Sequence, residues 1–155
     1  MARTAHSSIR STANRIIAIM LFALFTTNAS GQHEKEIKQF YVAYMQSLDH
    51  GNDKRADSLR NAYMTPELIT KTKEYTIKTD ANPIIRAQDV CRFGVRSLNV
   101  TALGDGWYMV KYKWDSNSDY IKIPLKALDS DGHVKITYIT PEWLGTQYGD
   151  HLLNE

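Results

Sequence analysis

Apolar positions along the chain follow two rhythms, one after the other. From 34 to 48, Ile37, Phe40, Tyr41, Tyr44, Met45 and Leu48 recur at intervals of three and four, which predicts an amphipathic helix. Glu34 and Glu36 stand in its first turn, where the helix dipole favours negative charge. Asp49 to Asp53, with Gly51 and Asn52, reads as a turn. A short second helix is expected over 54–63, burying Ala56, Leu59 and Tyr63. Thr65-Pro66-Glu67 opens a third, with a capping hydroxyl, a proline suited to the first helical position and an acid in the first turn. Leu68, Ile69 and Tyr75 form its apolar side. Helical character is expected to fade among Thr70, Thr72, Thr76 and Thr79, and Asp80 to Pro83 reads as a loop.

From Gly94 the interval becomes two. Leu98, Val100 and Ala102 alternate with Ser97, Asn99 and Thr101. After the tight turn Gly104-Asp105-Gly106, a second run alternates Tyr108, Val110, Tyr112 and Trp114 against Met109, Lys111 and Lys113. Asp115 to Asp119 turns the chain again, and Ile121, Ile123 and Leu125 then alternate with Lys122, Pro124 and Lys126. A third turn, Asp129-Ser130-Asp131-Gly132, leads to Val134, Ile136 and Tyr138. Pro141 ends that strand, and a tail or short helix around Trp143 follows. Helices first and sequential strands afterwards define an α+β fold, with N-terminal helices packed on one face of a four-stranded antiparallel meander. The lysines at 111, 113, 122 and 126 belong to the wet face, which is also the candidate surface for a homodimer.

The segment before the first helix reads as an address. Arg3, Arg10 and Arg15 precede the apolar run Ile16 to Phe25, and small or polar residues follow up to Gly31. These are the three regions of a secretory signal, with Ala29 and Gly31 placed for cleavage before Gln32. The expected division is therefore a signal peptide over 1–31 and a single α+β domain over 32–155, exported to the periplasm or the cell exterior. Ten apolar residues are too few to span a bilayer, so no membrane association is expected after cleavage. Removing the signal takes three arginines and no acid, so the chain's 19 basic and 17 acidic residues become 16 and 17. The basicity disappears, and with it any reason to expect a nucleic-acid partner. Cys91 is the only cysteine, which excludes an internal disulfide; it is read as a buried, inert thiol.

Three stretches carry a resemblance to a known family: Phe40-Tyr41-Val42-Ala43-Tyr44, Met64-Thr65-Pro66-Glu67-Leu68, and Asp80 to Asp89 with its Asn82-Pro83 and Ala87-Gln88-Asp89. Over about residues 34 to 140 the chain resembles small exported bacterial proteins of unknown function in the NTF2-like (cystatin-like fold) superfamily. Asn82 stands where that family often has an acid. The resemblance implies a curved sheet wrapped around the first helix as a cone. It implies no particular activity.

The candidate site residues cluster in two places. Asp80 to Asp89 joins the helical half to the sheet and sets Asp80, Arg86, Gln88 and Asp89 among Ile84, Ile85, Ala87 and Val90. Carboxylates in apolar surroundings can serve as acids or bases; the plainer reading is that Asp80 and Asp89 cap turns or pair with Arg86 or Arg92. Tyr41, Tyr44, Tyr108, Tyr112, Trp114 and Tyr138 could line a cone interior or simply fill a core. Tyr44, Arg86, Gln88, Asp89 and Tyr112 are thus the candidate ligand-binding residues, and Asp80 and Asp89 the weak catalytic candidates.

Other chemistries find no support. Asp115-Ser116-Asn117-Ser118-Asp119 begins like a calcium loop, but Tyr120 and Lys126 occupy the positions that need glycine and glutamate. The histidines have no metal-ligand spacing, and no nucleophile elbow or phosphate loop occurs. No cofactor or metal is expected. The reading is a non-enzymatic binding module for a small molecule or an exported protein. Its alternatives are an isomerase or hydratase with an Asp80 or Asp89 base and a Tyr112 oxyanion donor, and an immunity-type inhibitor of a toxin.

Overall fold

The computed structural model describes residues 31–140. The signal segment up to Ser30 and the tail around Trp143 lie outside the described residues. α1 is helical over 31–49. Its stripe of Ile37, Phe40, Tyr41, Tyr44 and Met45 is fully enclosed. Each such side chain contributes about 1.5–3 kcal/mol of hydrophobic stabilisation. Phe40 stacks on Tyr44 at 5.5 Å between ring centres and meets Tyr41 edge-on at 5.3 Å. Gly51, at φ +63°, turns the chain out of α1.

Helix α2 (Asp53–Tyr63) is capped by the Asn52 side chain, which accepts from the Arg55 amide. It buries Ala56, while Leu59 and Tyr63 pack half-buried against the core. Helix α3 (Pro66–Thr79) has the Thr65 cap and leading proline that the sequence announces. It does not fade among its threonines. Thr70, Thr76 and Thr79 each donate a side-chain hydroxyl to the carbonyl four residues earlier, and Thr72 to the Ile69 carbonyl. Back-bonding gives these hydroxyls partners inside the helix, so the β-branched residues continue it to a left-handed Asp80 at φ 56°.

The strands begin later than the alternation suggests. Arg92–Ser97 forms a short helix, α4, capped by the half-buried Cys91, whose sulfur accepts from the Gly94 amide at 3.1 Å. Cys91 is therefore only partly enclosed, because its sulfur is held at the helix entrance. β1 (Asn99–Gly104), β2 (Trp107–Lys113), β3 (Tyr120–Ser130) and β4 (His133–Ile139) then form one open antiparallel sheet in sequence order. Trp114 falls beyond β2 and is 42% exposed, so it lines no interior. A bulge shifts the β3–β4 register so that Ala127 faces Ile136 while Lys126 faces Tyr138. That extra residue, Thr137, puts Ile139 into the core and Tyr138 on the opposite face, edge-on to Trp107 at 5.9 Å. Lys126 lies over the same Trp107 ring, and Lys111 and Lys113 over Tyr120.

α1 is tied to the sheet at both edges. Glu34 accepts from the Ala102 amide of β1 at 2.7 Å, and Glu36 from the Val134 amide of β4 at 2.9 Å. Buried His33 bridges the Tyr108 hydroxyl and Asp129. The helix already runs at residue 31, so Glu36 lies beyond a first turn, and both carboxylates serve to bond strand amides.

Candidate functional site

The Tyr44 hydroxyl, at the inner end of α1, accepts two hydrogen bonds. Arg60 Nη1 of α2 donates at 2.9 Å and Asn82 Nδ2 at 3.1 Å. Asn82 is oriented by its own backbone: its Oδ1 accepts from the Ile84 amide at 3.0 Å, in a turn closed by the Asn82–Ala87 bridge. The bond to Tyr44 leaves Asn82 one further N–H.

Arg60 carries the charge. Its Nη2 donates to Asp57, its guanidinium lies over the Tyr44 ring at 5.8 Å, and its Nε is buried without a hydrogen-bond partner. Burial pulls the Arg60 guanidinium down, but the Asp57 hydrogen bond and Tyr44 outweigh it and leave its pKa raised. The hydrogen bond from Arg60, and then its charge, hold the Asp57 carboxyl below the ordinary range. Lys73 lowers it further.

Around this centre lies a cleft of about 330 Å³. α2 supplies Arg60, α3 supplies Thr72, Lys73, Thr76 and Ile77, and the following turn supplies Asn82 and Ile84. Positions 72 and 76 form one row along α3, and 73 and 77 the next. Thr72 is buried, whereas Ile77 is 85% exposed at the rim. A second hollow of about 280 Å³ is lined by Gln46, Asp49, His50, Val90, Arg92, Val95 and Arg96. Its Arg92 is 84% exposed and pairs with Asp49 at 3.6 Å. That arrangement leaves no buried donor unspent.

Of the sequence-derived candidates, only Tyr44 reaches the first cleft's polar network. Arg86, at φ 51°, turns away and clamps Thr140, donating from Nε and Nη2 to the Thr140 carbonyl and from Nη2 to its hydroxyl. Buried Tyr112 donates to the Ile85 carbonyl. Burial pushes the Tyr112 phenol well above its ordinary pKa and does the same to Tyr41. Asp80, Gln88 and Asp89 are exposed, so neither carboxylate is gathered with Tyr112. Arg92 pairs with Asp49 instead of Asp89. No group of three or more potential metal ligands occurs among the described residues. No helix among them is long and apolar enough to cross a membrane.

Arg60 and Lys73 carry no recognisable motif, and Asn82, though within the Asp80–Asp89 segment, is not among the candidate site residues. One signal was available: Ala56, Arg60 and Tyr63 stand at i, i+4 and i+7, so Arg60 sits on the apolar stripe of α2.

No family model matches the chain, and no curated protein matches it. Among solved structures, a protein of unknown function from Bacteroides thetaiotaomicron VPI-5482 has the same α+β architecture, with a TM-score of 0.72. The two are 31% identical over 79% of this chain and 99% of that one. The chain belongs to the same family as that Bacteroides protein.

Proposed function

We propose that the protein is an exported, non-enzymatic binding module of NTF2-like type that holds a small anionic ligand in the cleft between α2 and α3. The observation that carries this reading is Arg60: a half-buried guanidinium in the cleft lining, aligned by Tyr44 through Nη1 and by Asp57 through Nη2, with further Nη hydrogens beyond those two bonds. A hydrogen bond to a charged group contributes about 1.5–3 kcal/mol, which an anion meeting the partly desolvated guanidinium gains. Lys73 adds a second cation, and Asp57 neutralises only one of the two. The volume suits a compact molecule, at the small end of the roughly 300–1,000 Å³ usual for ligand sites.

Titration calorimetry of the protein with small carboxylates tests the binding. Saturable uptake is expected, weakened about tenfold or more in Arg60→Gln because a charge-assisted bond is lost. No binding at millimolar concentration, or binding indifferent to Arg60→Gln, overturns the reading. The exported state is tested by intact-mass analysis of the secreted and periplasmic fractions, where a chain beginning at Gln32 is expected.

A further inference from the structure

We infer that the ligand is a hydroxylated carboxylate of monosaccharide size, a uronic acid or its close equivalent. This rests on the anion-binding reading above and specifies its ligand. The cleft is divided by hydrogen-bonding sense. Around Arg60 the side chains offer donors: the Arg60 Nη hydrogens not spent on Tyr44 and Asp57, the Lys73 ammonium and the second N–H of Asn82, whose first goes to Tyr44. A carboxylate, which only accepts, matches that end.

The α3 wall has the opposite sense. The Thr72 hydroxyl hydrogen is committed to the Ile69 carbonyl and the Thr76 hydroxyl hydrogen to the Thr72 carbonyl, each at 2.9 Å. Each oxygen therefore presents lone pairs alone, and they lie one helical turn apart, about 6 Å along the axis. Acceptors in that position call for ligand O–H groups at a matching spacing. Ile84 and the exposed Ile77 supply apolar surface in the same cleft, suited to the C–H face of a ring. Inorganic phosphate satisfies the donors but is too small to serve two acceptors a helical turn apart as well, and it leaves both isoleucines unmatched. A plain aliphatic carboxylate leaves the threonines unmatched.

Calorimetry with three probes of similar size tests this: D-galacturonate, cyclohexanecarboxylate and D-galactose. Galacturonate is expected to bind about tenfold or more tightly than either of the others, since each lacks one half of the match. Thr76→Val, at an exposed position, should weaken galacturonate roughly fivefold and leave cyclohexanecarboxylate unchanged. Lys73→Met, also exposed, should weaken both carboxylates and not galactose, and serves as the charge variant if Arg60→Gln proves unstable. Equal binding of galacturonate and cyclohexanecarboxylate, or indifference to Thr76→Val, overturns the hydroxyl inference while the anion site stands. Failure of both carboxylates to bind removes the anion site and this inference with it. Galactose binding as tightly as galacturonate overturns both.

Discussion

Gly94 and Tyr112 are so close that a Cβ on Gly94 would lie 2.9 Å from Cδ2 of the Tyr112 ring. The same carbon would meet the Cys91 sulfur at 3.0 Å and the Met45 methyl at 3.1 Å. Only a glycine lets α4 settle on β2 here. Tyr112 cannot yield easily, because its hydroxyl is bound to the Ile85 carbonyl. Gly94→Ala is expected to cost about 1–3 kcal/mol through overpacking, despite alanine's better helix propensity. Chemical denaturation of the two proteins measures it, and an unchanged or raised midpoint would show that the contact relaxes freely.

Tyr44→Phe removes the shared acceptor of Arg60 and Asn82 while keeping the ring that stacks on Phe40. Two donors then lose their partner, Arg60 now lacking one at both Nη1 and Nε. A loss of about 1–3 kcal/mol is expected in denaturant melts. Calorimetry of the folded variant should also show weaker carboxylate binding, since Arg60 is no longer aligned.

Alkaline pH should unfold the chain through its buried phenols. Burial raises Tyr41 and Tyr112 above the ordinary value of about 10, so the neutral form is favoured in the folded state. The stability this contributes is complete below pH about 10 and is lost as pH climbs beyond it. Absorbance at 295 nm, followed alongside circular dichroism, should show a class of tyrosines that ionises only as helical signal disappears. Ionisation of every tyrosine with the fold intact would contradict it.

Acid should act elsewhere. The Gly132 amide, and then the His33 side chain, hold the Asp129 carboxyl below its ordinary pKa. A lowered carboxylate contributes stability at neutral pH that is lost as pH falls below about 4. Melting temperatures of the wild type and Asp129→Asn, taken at pH 7 and pH 3, should converge at the lower value. A constant gap between them would show that Asp129 does not report through this titration.

The elements whose residues contact one another at regular intervals were readable from the sequence. The α1 stripe from Ile37 to Met45 and the alternation of Tyr108, Val110 and Tyr112 correspond to buried positions in the structure. What escaped depends on contacts that periodicity does not encode. The α3 threonines look like breakers until their hydroxyls are seen to bond back along the helix. The one-residue bulge at Thr137 reverses the faces of Tyr138 and Ile139 with no local marker. The site was legible only at Tyr44, because Arg60 and Asn82 lie 16 and 38 residues from it and meet only after folding. Arg86 stands out in the sequence as a charge among apolar residues, and that charge serves to clamp the end of the sheet.

The junction between α2 and α3 is stitched to β4. Met64 bridges Ile136, the Thr65 amide donates to the Ile136 carbonyl at 3.0 Å, and Lys135 reaches the carbonyls of Asn61 and Ala62. Arg60 lies one turn from this elbow, whereas Ile77 lies three turns away from it along α3. The two walls of the cleft are therefore pinned at opposite ends: the elbow beside Arg60 is held on the sheet, and the far end of α3 runs into Asn82, which is bonded to Tyr44, and into buried Ile84.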